Sequence, residues 1–105
     1  MPSRFTLYGV KDFTVADVAD MVAAALNIKL SRRESYYKGG DYFLYRGEDG
    51  VEVSVEGHVR DEEGNFEEPD FPQYATFVYI NHSLPGVEEK LAMVKRLDLL
   101  RSEVV

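Results

Sequence analysis

The chain contains no cysteine and no tryptophan, and has only four prolines among its 105 residues. Without cysteine there is no disulfide, no thiolate zinc site and no cysteine nucleophile. The longest apolar run is Met21-Val22-Ala23-Ala24-Ala25-Leu26, far short of the about 20 residues that a membrane-spanning helix needs. The opening Met1-Pro2-Ser3-Arg4-Phe5 has no long apolar stretch behind a basic start, so no secretory signal is read there. A cytoplasmic location is the expectation from these absences. There is also no G-x-S-x-G, no P-loop and no HExxH. The expectation is therefore a non-enzymatic chain that carries no cofactor.

What is present is enough apolar material for one core. Hydrophobic residues make up 45%, with seven tyrosines and six phenylalanines. A chain of this length buries roughly two-thirds of its unfolded surface and folds without covalent staples. Residues 1–105 are read as a single α+β domain.

The net charge is −7, and its distribution matters more than its total. Glu48 to Asp70 holds ten acidic side chains against one base, Arg60, a net −9, while the remainder holds eleven bases and nine acids, a net +2. Such a stretch repels nucleic acid and anionic membranes. It steers a basic protein towards itself, and it also keeps a solvated loop soluble with no partner at all.

Arg4–Val10 alternates as a strand. Thr14 is placed to cap a helix in which Val15, Val18, Val22 and Leu26 form one stripe, with Asn27 at its end. Ile28–Tyr37 reads as a strand, Lys38-Gly39-Gly40-Asp41 as a turn and Tyr42–Arg46 as a second strand. Gly47-Glu48-Asp49-Gly50 is a tight hairpin turn. In the next strand Val51, Val53 and Val55 face the core while Glu52, Ser54 and Glu56 face water. Asp61–Tyr74, with Gly64, Pro69 and Pro72, is loop, and Phe66 and Phe71 either pin it or stand exposed. Ala75–Asn81 is apolar on both faces and so central. Ser83 or Gly86 opens a second helix with a Val87, Leu91, Val94, Leu97 stripe, and Leu99–Val105 closes as a strand. The order β-α-β-β-β-β-α-β predicts an antiparallel sheet of five to six strands with both helices on one face. A ferredoxin-like core with an extra hairpin is one arrangement that fits.

Few constellations carry chemistry. Glu56, His58, His82 and Asp70 can be drawn as a metal set, but no ligand spacing supports it, and both histidines read as surface residues. Glu62-Glu63 and Glu67-Glu68 lie in a polar loop, where two carboxyls have no reason to differ in acidity as a catalytic pair must. The residues best suited to a partner are Glu62, Glu63, Phe66, Glu67, Glu68, Asp70, Phe71 and Tyr74, which combine charge with apolar anchors. A pocket between sheet and helices is the alternative, with Arg32, Arg33, Tyr37 and Asp41 around its mouth. A homodimer joined through sheet edges or faces by Tyr36, Tyr42 and the aromatic loop is a third reading.

Four segments resemble a pattern in small uncharacterised bacterial proteins. They are Arg33-Glu34-Ser35-x-Tyr37-x-Gly39-Gly40-Asp41-Tyr42, then Glu68-Pro69-Asp70-Phe71-Pro72, then Tyr79-Ile80-Asn81, and Leu97-x-Leu99-Leu100-Arg101-Ser102-Glu103. Such proteins are similar to the immunity proteins of polymorphic toxin systems. The resemblance implies a small cytoplasmic inhibitor that covers the basic site of a cognate toxin. It transfers no residue-level motif.

Overall fold

The computed structural model describes residues 3–35, 40–58, 68 and 70–104. Eight elements follow one another: β1 (Arg4–Val10), α1 (Val15–Leu26), β2 (Ser31–Ser35), β3 (Gly40–Arg46), β4 (Glu52–Gly57), β5 (Thr76–Asn81), α2 (Pro85–Ala92) and β6 (Asp98–Val104). The six strands form one sheet in the order β2-β3-β4-β5-β1-β6, and every neighbouring pair is antiparallel. The fold is α+β. The order β4-β5-β1-β6 is that of a ferredoxin-like split βαβ sheet, and the hairpin β2–β3 is inserted between α1 and β4. Both helices pack on the same face of the sheet.

Local chemistry accounts for the first helix. Thr14 Oγ1 accepts the Asp17 N–H at 3.1 Å, closing the first turn. Asn27 ends it in the left-handed conformation, φ 54°, which an asparagine tolerates better than most residues. Between these caps Val18, Val22 and Leu26 are buried against Tyr8, Val10, Val53, Val55, Val78 and Ile80 of the sheet. Each such side chain stabilises the domain by about 1.5–3 kcal/mol. At the hairpin joining β3 and β4, Gly50 takes φ 88°, and Asp49 Oδ1 accepts the Val51 N–H at 3.1 Å.

Three expectations change. The second helix starts at Pro85 with Leu84 as its N-cap, and Ser83 supplies no cap. It also stops at Ala92, so Val94 and Leu97 lie beyond it, although Leu97 still packs on the core. The strand over Ile28–Tyr37 is shorter at its start, beginning at Ser31, while β3 begins earlier, at Gly40. Tyr36, Tyr37, Lys38 and Gly39 lie outside the described residues. Finally, the supposedly wet face of β4 is dry at its centre, where Ser54 is 7% and Glu56 5% exposed. Their register neighbours are large: Ser54 lies between Leu44 and Tyr79, and Glu56 pairs with Phe77.

Candidate functional site

The face of the sheet opposite the helices is built from alternate residues. They are Phe5 and Leu7 of β1, Tyr42, Leu44 and Arg46 of β3, Glu52, Ser54 and Glu56 of β4, and Phe77, Tyr79 and Asn81 of β5. Part of it is closed. Leu7, Tyr74 and Phe77 form a second buried cluster, with Phe5, Phe71, Tyr79 and Leu100 packed against it. Over β3, β4 and β5 it is open, as a trough of about 340 Å³. Tyr42, Tyr79 and Phe5 give the trough aromatic sides, and Arg46, Glu52 and Asn81 line it too. The recessed Ser54 and Glu56 lie deepest.

Ser54 Oγ donates to Glu56 Oε2 at 2.5 Å, so the carboxylate is held by its own strand. Arg46 Nε donates to Glu52 Oε2 at 3.1 Å across the β3–β4 ladder. The trough thus sets the partly exposed Glu52, paired with Arg46, between aromatic walls, with Glu56 buried beneath.

The acidic segment meets this face where it returns to the sheet. Glu62, Glu63, Phe66 and Glu67 lie outside the described residues. Glu68 is turned inward, its side chain 15% exposed and its Oε2 3.7 Å from Arg101 Nη2. Tyr79 donates its hydroxyl to Glu68 Oε1 at 3.3 Å. Asp70 is the outward member, 79% exposed and 4.0 Å from the same guanidinium. Arg101 also sits 5.8 Å from the centre of the half-buried Phe71 ring. Phe71 and Tyr74 therefore pin the chain to the sheet.

Tyr74 is buried, and its hydroxyl donates to Asp98 Oδ2 at 3.0 Å. Burial raises its pKa above the ordinary 10.0, and the hydrogen bond to Asp98 with that residue's charge adds to the rise.

His58, expected at the surface, is instead half-buried. Its Nδ1 lies 2.8 Å from the Tyr74 carbonyl oxygen, and its Nε2 accepts the Glu68 N–H at 3.4 Å. A neutral ring with its proton on Nδ1 satisfies both. The ring also stands edge-on to Phe77, with centroids 4.6 Å apart. His82 is exposed and follows β5 at its far end. The two histidines are thus separated by the length of β5, about 20 Å, which rules out the metal set drawn through both. Among the described residues no three His, Asp or Glu side chains gather to hold a metal.

The alternative pocket residues divide between the two faces. Arg32 Nε donates to Asp41 Oδ2 at 3.0 Å, while Arg33 pairs with Tyr42 on the opposite face. Tyr37 is outside the described residues. A cavity of about 370 Å³ does lie between sheet and helices, but it is lined by Leu26, Ile28, Tyr45, Val53, Leu84 and Val87 among others. None of the three described residues lines it.

Sequence reasoning missed the trough. The alternation of β3 and β4 contains it, but only their register puts Tyr42, Glu52 and Tyr79 on one face. It also missed Arg101, which organises Glu68, Asp70 and Phe71 from a strand about thirty residues away.

Compared with protein-family models, with curated proteins and with solved structures, the chain matches none. Among the described residues no helix is long and apolar enough to cross a membrane.

Proposed function

We propose that this chain is a non-catalytic binding module for a basic protein, docking through the acidic segment and the helix-free trough beside it. In its specific form the reading is an immunity-type protein that covers the basic site of a bacterial toxin. The observation that carries it is the charge segregation, −9 between Glu48 and Asp70 against +2 elsewhere. The trough supports it, because the partly exposed Glu52 lies there among Tyr42 and Tyr79. Charge of this kind steers association, while aromatic and carboxylate groups grip an arginine or lysine.

The anchoring of Glu68 and Phe71 divides the labour. These residues hold the segment's end to the body, and the outward Asp70 is left for the partner. The test is capture of partners by the tagged chain from its native host at low and at high salt. A basic protein held at low salt and released at high salt is expected. It is expected to be lost when Glu62, Glu63 and Glu67 are reversed to lysine. Capture unchanged by salt and by reversal would overturn the reading.

A second reading has its own observation, the largely apolar cavity between sheet and helices, with Lys90 and Asp49 near its rim. It suits a small apolar ligand bearing one polar end. Enhanced fluorescence of an apolar dye, lost in Val87→Glu, would favour it over protein docking.

A further inference from the structure

The outer strand β6 pairs only with β1 among the described residues. An open edge of this kind is a template for another strand, and proteins commonly blunt it with proline or unmatched charge. β6 contains no proline, and its charges are arranged in a particular way. Leu100-Arg101-Ser102-Glu103-Val104 reads apolar, basic, serine, acidic, apolar. Turned antiparallel onto itself about Ser102, it sets Arg101 opposite Glu103 twice.

The backbone is oriented for this pairing. Arg4 O accepts from Ser83 N at 2.8 Å and Val10 O from Ala75 N at 3.0 Å, both on the β5 side of β1. The even-numbered residues of β1 therefore turn their peptide groups to β5, and Phe5 and Leu7 turn theirs to β6. Their partners Glu103 and Arg101 bond inward, so Ser102 between them turns its N–H and C=O to the free edge. Apolar exposure collects here too. Among the described residues the exposed large apolar side chains are Leu84, Met93, Leu99 and Val104. Two of these are on β6, and Met93 is the cap residue of α2 just before it. Leu99 and Val104 pair with Tyr8 and Arg4, which places both on the helix side of β6.

We infer that β6 is the interface of a two-fold homodimer, a second copy of the chain extending the sheet antiparallel across Ser102. The dyad pair Ser102–Ser102 exchanges two backbone hydrogen bonds. Arg101 of each copy faces Glu103 of the other, and Val104 of one copy comes beside Leu99 of the other. The register shift at β1 Leu7/Tyr8, a bulge, limits the regular pairing to this short stretch. The inference rests on the edge of β6 alone and does not depend on the proposed function.

Sedimentation equilibrium over a range of micromolar concentrations tests it. The wild type is expected to shift from 12.0 kDa towards twice that mass as concentration rises. Ser102→Pro removes only the outward N–H, a change edge strands accept. Glu103→Arg sets arginine against arginine across the dyad. Each is expected to weaken the dimer about tenfold or more, with an unchanged far-ultraviolet circular dichroism spectrum. A wild type that stays at the monomer mass throughout would overturn the inference. So would variants that fold normally and dimerise as tightly as the wild type.

Discussion

Gly9 of β1 lies directly against the Tyr74 ring. A β-carbon there would lie 2.6 Å from Tyr74 Cδ1 and 2.8 Å from Leu100 Cδ1. Gly9→Ala must therefore move the ring or the strand, since carbon atoms do not approach so closely. Overpacking of this kind costs about 1–3 kcal/mol. If the ring swings out, the Tyr74–Asp98 hydrogen bond, worth about 1 kcal/mol, is lost as well. For a domain near 100 residues each kcal/mol lowers the melting temperature by about 4–8 °C, so a fall of roughly 5–20 °C is expected. Thermal unfolding followed by near-ultraviolet circular dichroism reads both the midpoint and the packing of the tyrosines. The decisive form is a double-mutant cycle with Tyr74→Ala, in which Gly9→Ala costs less once the ring is gone. A melting temperature within about 2 °C of the wild type, or strictly additive costs, would refute the packing argument.

Thr14→Ala leaves the Asp17 N–H without its cap and is expected to lower stability by about 1 kcal/mol in urea titrations. The raised pKa of Tyr74 means that the folded chain binds this proton more tightly than the unfolded one does. Its contribution is complete below the ordinary tyrosine pKa and is lost as pH climbs through the folded value. Alkaline unfolding titrations of Tyr74→Phe should accordingly fall less steeply above about pH 10 than those of the wild type. Glu68→Lys, which sets a second cation beside Arg101, should destabilise the fold by about 1–3 kcal/mol. Asp70→Lys, on an exposed side chain, should stay within about 0.5 kcal/mol. Equal losses in the last pair would contradict the distinction between an anchoring and an outward acid.

The order of elements was legible because each has a local cause. Thr14 and Asn27 bound α1, the Asp49-Gly50 pair turns the hairpin, and β5 is apolar on both faces because the helices cover one and the Leu7–Tyr74 cluster the other. Boundaries set by tertiary packing were not legible. α2 stops at Ala92 although Val94 and Leu97 continue the apolar spacing, because the chain turns there and Leu97 reaches the core from outside the helix. The burial of Ser54 and Glu56 was hidden for a related reason, since period-two alternation says which residues share a face and not what stands beside them. Phe71 and Tyr74 were recognisable as anchors of some kind. That they anchor to the chain's own sheet depends on Arg101, Asp98 and His58, contacts that no local pattern encodes.

The proposed recruitment of a basic protein by the acidic segment acts through charge. Its most direct test is the association rate with the captured partner, measured by stopped-flow across ionic strength for the wild type and for the variant with Glu62, Glu63 and Glu67 reversed to lysine. The wild-type rate is expected to fall steeply with salt, and the reversed variant to be slower by about tenfold or more at low salt with an unchanged melting temperature. Equal rates for the two proteins at every salt concentration would contradict it.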